Sequence, residues 1–270
     1  MGKPLVTVKE GKLEGAILKS GLGLSYIAFR GIPFAAPPIG NLRFKDPQPP
    51  ASWTGILDTS KDTKYMCPQL EENPPFDVIG NEDCLYLNVY TNSLDQSKPV
   101  MFWIHGGAFM LGNSSFHETR PDYLLAKDVV VVSANYRLGA FGLFHKAILQ
   151  SGTLTCPWAN SEIENGSESG FKLASLLGKY SNDPVDVFEF LRTVPTEDIV
   201  KAQTTLLSPE ATTFLLTYFV NYNQTLEITT NKEFELVILY CRERRPVSYL
   251  LDPTVTKWQR ILFYQNRSNN

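Results

Sequence analysis

Residues 100–109 read Val-Met-Phe-Trp-Ile-His-Gly-Gly-Ala-Phe, five apolar residues that run directly into a glycine turn. A continuous apolar run predicts a strand that is buried on both faces, because a strand with one face in water alternates apolar and polar residues. Val129–Val132 predicts a second strand of the same kind, and Pro121–Lys127, between the two, is short and helix-like. This part of the chain therefore predicts a buried sheet with a glycine turn after one of its strands.

The residues before this stretch predict short strands and turns. Prolines exclude long helices from the first 55 residues, at Pro33, Pro37, Pro38, Pro47, Pro49 and Pro50. Further along, Cys84–Thr91 reads CLYLNVYT, with Leu87 and Val89 on one face and Tyr86 and Tyr90 on the other. That alternation predicts another strand.

The residues that follow the valine strand leave too little chain for a regular α/β crossover. Lys146–Ser151 is a further strand-like run, only about ten residues after the valine strand and its exit. Parallel neighbours need a connection of about a dozen residues or more, which normally includes a helix. The stretch 138–145 is short and rich in glycine. Either these two strands are not parallel neighbours, or a strand-and-helix unit is absent from the chain.

The second half of the chain divides into a helical part and a tail of different composition. Ser161–Gln203 has helical spacing of its apolar residues, and Asp183-Pro184 is typical of a helix start. All 18 glycines lie before position 211. We therefore predict a first domain over residues 1–210 and a separate tail over 211–270.

Composition excludes several classes of protein. Of the 270 residues, 43% are hydrophobic and 20% charged, and the formal charge is −3, which argues against a nucleic-acid-binding protein. No apolar run approaches the roughly 18 residues that span a bilayer. Nothing after Met1 resembles a signal peptide, which predicts a cytoplasmic protein, or a secreted one if the true N-terminus lies upstream. The four cysteines have no metal-ligand spacing, so we expect no metal site.

Five long segments, in the same order, are similar to signature blocks of the type B carboxylesterases, the cholinesterase-like family of α/β hydrolases. They are Phe29–Phe44, Glu82–Val89, Trp103–Phe109, Ser133–Gly142 and Gly142–Gly152. The stretch Thr155–Ala159 resembles insect members most. The resemblance implies an α/β fold with a central mixed sheet flanked by helices, carboxylic esters as small-molecule substrates, and no cofactor.

The same resemblance places a gap at Gly142. In the family, the last two blocks are separated by a helix and by a strand that ends in the Gly-x-Ser-x-Gly nucleophile elbow, whereas here they are fused. The resemblance thus implies a chain that is internally deleted and C-terminally truncated, with an incomplete hydrolase fold.

The glycine turn resembles the oxyanion loop of the family. That resemblance implies that the backbone N–H groups of Gly107 and Ala108 would bind the developing oxyanion, and that Gly106 lets the chain turn. The alternative is an ordinary glycine turn after a strand. The third donor of the family follows the nucleophile and has no counterpart here.

The other catalytic parts are missing from the sequence. No Gly-x-Ser-x-Gly occurs; Gly166–Gly170 has Glu168 at its centre and is expected in a polar loop, and Ser151 lacks the glycine before it. The three histidines, His105, His117 and His145, fall in other blocks, and no catalytic acid matches. We therefore predict no triad-based turnover. The alternative is a non-catalytic, esterase-like protein that binds a ligand or partner.

Two structural pairs are also implied by the resemblance. Cys67 and Cys84 match the first disulfide loop of the family, although a cytosolic chain would keep them as thiols. Arg43 and Glu82 match an ion pair that pins the N-terminal segment; the alternative is two unrelated surface charges.

Overall fold

A computed structural model describes residues 2–62, 65–71, 75–107, 109–119, 121–142, 163–206 and 239–241. Eleven strands form three sheets within these residues. They are β1 (Leu5–Val8), β2 (Gly11–Glu14), β3 (Ala16–Lys19), β4 (Ser25–Pro33), β5 (Ile56–Asp58), β6 (Gln69–Leu70), β7 (Val78–Ile79), β8 (Tyr86–Thr91), β9 (Val100–Ile104), β10 (Val130–Ala134) and β11 (Leu239–Cys241).

The central sheet has six strands in the order β11-β9-β10-β8-β4-β3. β9 and β10 are parallel, with Val131 opposite Met101, and the other neighbours are antiparallel. The chain crosses from β9 to β10 through two short helices, α1 (Phe116–Thr119) and α2 (Asp122–Leu125). The sheet is therefore mixed, as predicted, and the strands expected from the apolar runs are confirmed.

Both faces of the central sheet are apolar. Leu87 and Val89 pack in one cluster with residues of β4 and β10, and Tyr90 packs on the opposite face with α2 and Val131. The two faces of the CLYLNVYT strand are thus divided as its alternation predicts. β10 is buried along its whole length.

The prediction that Val100–Ile104 is buried on both faces was wrong for most of the strand. Only Val100 is buried, and residues 101–104 are half-buried. Within the described residues, β9 has β10 on one side and only the three residues of β11 on the other. A strand near the margin of a sheet loses cover that a central strand has.

Three helices cover part of the molecule: α3 (Ile163–Leu176), α4 (Pro184–Thr193) and α5 (Thr196–Thr204). They share an apolar cluster that includes Phe141, Leu173, Leu191 and Ile199. The predicted start at Asp183-Pro184 is confirmed, because the Asp183 carboxylate accepts a hydrogen bond from the N–H of Val185 at 2.9 Å.

One local prediction in this region was wrong. Residues 166–170 lie inside α3, not in a polar loop. The exposed Glu168 pairs with Lys172 one helical turn later, at 2.9 Å, and such a pair supports a helix. The strand predicted at Lys146–Ser151 lies outside the described residues.

Candidate functional site

The carboxyl end of β9 leads into a tight loop over residues 105–112. The N–H groups of Met110 and Leu111 both donate to the carbonyl of Gly107, at 2.9 and 3.1 Å, and close the turn. Gly107 has φ +117°, and a Cβ on it would lie 1.9 Å from the Leu111 carbonyl oxygen. Only glycine fits there, so the loop geometry depends on this residue.

The N–H of Gly107 is one of the two donors that the resemblance to the oxyanion loop implies. Among the described residues, none accepts a hydrogen bond from it, and the residue is half-exposed. Gly106 is exposed and has open space where a side chain would be. Ala108, the other predicted donor, lies outside the described residues. The loop thus places the Gly107 N–H just after the carboxyl end of β9.

The side chain of His105 anchors the start of this loop. Its side chain is buried, with a relative exposure of 6%, and Nδ1 lies 2.8 Å from the Gly106 carbonyl oxygen, which makes Nδ1 the protonated nitrogen. The ring stacks on Tyr136 at 4.3 Å, and the Tyr136 hydroxyl donates to the His105 carbonyl at 2.9 Å. Burial lowers the pKa of His105 to about 4. The imidazole is therefore neutral at pH 7 and holds the loop in place.

A second support comes from the 3₁₀ turn at Gly139–Phe141. The N–H of Gly139 donates to the Phe109 carbonyl at 2.7 Å, and the N–H of Ala140 donates to the Gln203 side-chain oxygen at 2.8 Å. Helix α5 thereby fixes the turn, and the turn fixes the glycine loop. Burial also raises the pKa of Tyr136 to about 12, so that its hydroxyl keeps its proton.

A third support comes from Gln69 in β6. The Gly112 N–H donates to the Gln69 side-chain oxygen at 2.7 Å, and the Gln69 amide donates back to the Gly112 carbonyl at 3.0 Å. Sequence reasoning missed Gln69, Tyr136 and Gln203. Each acts on residues distant in sequence, and the only local signal was that Gln69 follows Cys67 by two positions.

A buried polar network lies behind the loop, between β8 and β10. Asn88 donates to the Ser114 carbonyl at 2.6 Å and accepts from the Gly31 N–H at 2.8 Å. Asn135 accepts from the Ser114 N–H at 2.8 Å and donates to the Cys84 carbonyl at 3.0 Å. Sequence reasoning missed these residues as well, although a polar residue inside an apolar strand is a usable signal for such a network.

Cys67 and Cys84 form a disulfide, with Cα atoms 5.0 Å apart, so the pairing implied by the resemblance is confirmed. Disulfides persist in oxidising compartments. A disulfide is less common in a cytoplasmic protein than in a secreted one. The cytoplasmic location stays a prediction.

Arg43 and Glu82 form a buried pair. Nε of Arg43 donates to the carboxylate at 2.8 Å, and its Nη2 contacts the second oxygen. Nη1 also donates to carbonyls at the end of α4, at 3.2 Å to Leu191 and 2.6 Å to Val194. The alternative of two unrelated surface charges is wrong, because both side chains are buried and face each other. The pair joins the N-terminal segment to the helices.

The other candidates from the sequence do not join the loop. His117 is largely exposed, and its Nε2 lies 3.8 Å from Asp62. Glu168 is exposed on α3. His145 and Ser151 lie outside the described residues. Within the described ranges, no three acidic, histidine or cysteine side chains are grouped to hold a metal ion, and no helix there is long and apolar enough to cross a membrane.

One family model and several known esterases match this chain. The model of the carboxylesterase family matches residues 2–143 and 142–238. Juvenile hormone esterase of Tribolium castaneum is 45% identical over 144 residues, covering 52% of this chain and 24% of the relative. Esterase FE4 of Myzus persicae is 30% identical over 268 residues, covering 74% and 47%. Para-nitrobenzyl esterase of Bacillus subtilis is 40% identical over 158 residues, covering 54% and 30%.

The chain spans less than half the length of each of these relatives. The two family-model segments meet at residues 142–143. This is the position at which the sequence blocks are fused.

Proposed function

Because the chain belongs to the carboxylesterase family, an α/β-hydrolase family whose members hydrolyse carboxylic esters, we propose that it carries the oxyanion-binding part of a serine carboxylesterase site. We propose further that the 270-residue chain does not hydrolyse esters through a catalytic triad. The observation that carries the first statement is the N–H of Gly107, for which the described residues offer no acceptor, in a loop held by contacts with Tyr136, Gly139 and Gln69.

A fixed backbone donor suits the chemistry of acyl transfer. Attack on an ester carbonyl places negative charge on its oxygen, and an N–H already in position stabilises that charge without reorganising. Loss of one such donor costs an enzyme about a hundredfold or more in rate. Gly107 would supply one donor and Ala108 a second, and carboxylic esters would be the substrates of a complete site.

The second statement is supported by the sequence. Ester hydrolysis by this fold needs a serine on a nucleophile elbow and a histidine oriented by a carboxylate. The sequence holds no Gly-x-Ser-x-Gly, and His105 is committed to the loop through its Nδ1. We propose that the strand-and-helix unit bearing the elbow is missing at Gly142.

The direct test is hydrolysis of an activated aryl ester by the purified 270-residue chain, with and without a serine-reactive organophosphate. We expect no hydrolysis that the organophosphate stops. Organophosphate-sensitive turnover would overturn the inactive assignment. In that event, Ser151→Ala identifies whether the serine nearest the fused block is the nucleophile.

A second test addresses the junction itself. The transcript is sequenced across the codons for Tyr136 to Gln150. An intervening segment with Gly-x-Ser-x-Gly would make the gene product an ordinary serine carboxylesterase and this chain a fragment of it. If Gly142 runs directly into Leu143, the chain lacks a nucleophile, and the non-catalytic binding protein becomes the better description.

The division into residues 1–210 and 211–270 stays a prediction, since the structure describes only 239–241 of the residues after 206.

A further inference from the structure

Gln69 makes an unusually complete set of hydrogen bonds for a side-chain amide. It accepts from the Gly112 N–H at 2.7 Å and donates to the Gly112 carbonyl at 3.0 Å and the Cys67 carbonyl at 2.9 Å. Its relative exposure is 3%. The amide therefore pairs with the backbone of Gly112 in both directions, as a neighbouring strand would.

Gly112 is the residue that closes the glycine loop. It has φ +103°, and a Cβ on it would lie 2.6 Å from both the Gly106 carbonyl oxygen and His105 Nδ1. The backbone of Gly112 therefore packs against the residues that lead into Gly107. A shift of Gly112 would be transmitted directly to the position of the Gly107 N–H.

Gln69 is itself held by the disulfide loop. It lies two residues after Cys67 and pairs with Ile79 across β6 and β7. The loop is closed by the bond between Cys67 and Cys84. The disulfide loop and the glycine loop are thus connected through one side chain.

We propose that Gln69 is a positioning residue that sets the glycine loop, and that the Cys67–Cys84 disulfide acts on the loop through it. The catalytic meaning of this contact rests on the oxyanion role proposed for Gly107. The positioning itself is tested without turnover, so its failure is distinguishable from failure of the proposed function.

The test is hydrogen–deuterium exchange of the full 270-residue chain, read by mass spectrometry in peptides covering 105–115 and, as an internal reference, β4. Gln69→Leu removes all three hydrogen bonds at similar volume. We expect exchange in 105–115 to rise about tenfold, the effect of losing a buried hydrogen bond, with β4 unchanged. Gln48→Leu is the matched control, because Gln48 is exposed and its side chain donates, among the described residues, to the Asp46 carbonyl alone.

Gln69→Glu adds a second measurement, the pH dependence of exchange in 105–115, which a general loss of stability would not change. A protonated carboxyl accepts and donates one hydrogen bond, so it replaces the acceptor and one of the two bonds that the amide donates, whereas an ionised carboxylate cannot donate at all. Burial raises the pKa of such a carboxyl. We expect the ratio of variant to wild-type exchange in 105–115 to be lowest at pH 5 and to rise about tenfold by pH 9. A ratio that is constant with pH would overturn the proposal.

Reduction of the disulfide in the wild-type chain covers the case in which Gln69→Leu does not fold. We expect faster exchange in 105–115 after reduction, with β4 still protected. Unchanged exchange in 105–115, in the variant or in the reduced protein, overturns the proposal. An equal rise in β4 also overturns it, because the effect would then be global.

Discussion

β9 and β10 are parallel neighbours with similarly apolar sequences, yet they differ in depth. β10 is buried at all five of its residues, whereas β9 is buried only at Val100. β10 lies between β9 and β8, two strands that pair along most of its length. β9 has a full partner on one side and three residues of β11 on the other.

The difference teaches that an apolar run predicts a strand but not its position in the sheet. Depth is set by the neighbours on both sides, and these come from distant parts of the chain. β9 has the sequence of a central strand in a marginal position.

The largest expected effect compares two residues that lie opposite each other in register, Val131 in β10 and Met101 in β9. Val131→Asp places a carboxylate at a fully buried site. We expect a loss of about 5 kcal/mol or more, comparable to the whole stability of a domain, and recovery in aggregates. Met101 is half-exposed, so Met101→Asp should cost about 1–3 kcal/mol of unfolding free energy.

The measurement for this pair is urea unfolding of the soluble fraction, with Val131→Thr as the control that changes polarity at similar volume without adding charge. Equal losses for the two aspartate variants would mean that β9 is as deeply covered as β10. The difference in burial between β9 and β10 would then be wrong.

The next effect concerns the buried ion pair, where Arg43 joins the N-terminal segment to α4. Arg43→Met leaves the buried Glu82 carboxylate without an opposite charge, although the Thr196 hydroxyl still donates to it. We expect a loss of about 3–5 kcal/mol in the free energy of unfolding, because removing one member of a buried pair is costly. Arg43→Met combined with Glu82→Leu should recover part of it. A loss below about 1 kcal/mol in the single variant would be typical of a surface pair and would contradict the assignment.

Much of the fold could be predicted from local pattern. β9 and β10 were visible as apolar runs, and the start of α4 at Asp183 was visible from its capping residues. The placement of residues 166–170 in a loop was wrong, because the serines and glycines favour a loop locally, whereas the apolar spacing over Ser161–Gln203 and the pairing of Glu168 with Lys172 favour a helix. Helical spacing on a longer scale decided the outcome.

The candidate site divides in the same way. The role of Gly107 was predicted from the resemblance of its turn to the oxyanion loop and stays a prediction, and the cysteine and ion pairs came from the same resemblance. Gln69, Tyr136 and Gln203 were not identified, although they hold the glycine loop. Their contacts join residues more than 30 positions apart, and no local period records such a contact.

A smaller effect is expected from pH, at the loop that follows β9. The pKa of His105 is lowered by burial from 6.5 to about 4, so the unfolded chain binds a proton that the folded chain excludes. This contribution to stability is complete above about pH 6.5 and is lost as the pH falls toward 4. We expect wild type to lose about 2–3 kcal/mol of unfolding free energy between pH 7 and pH 4.5 from this residue.

The matching measurement is urea unfolding at both pH values for wild type, His105→Phe and His117→Phe. The exposed His117 variant should keep the pH dependence of wild type, and the His105 variant should lose most of it. The same slope in all three proteins would show that His105 is accessible to water, which would place it with the half-exposed residues of β9.

The smallest effect tests whether the exposed N-terminal cap of α4 contributes to the stability of the protein. The Asp183 carboxylate accepts from the Val185 N–H at 2.9 Å, and Pro184 occupies the first turn, where its missing N–H costs nothing. Asp183→Ala should cost about 1 kcal/mol in unfolding free energy, since the cap is exposed and water replaces part of the bond. Asp95→Ala, at an exposed loop aspartate, should stay within about 0.5 kcal/mol of wild type. If both substitutions were silent while Val131→Asp was severe, the exposed cap would add nothing measurable to the stability of α4, and burial would account for the difference between the substitutions in β10 and at the helix start.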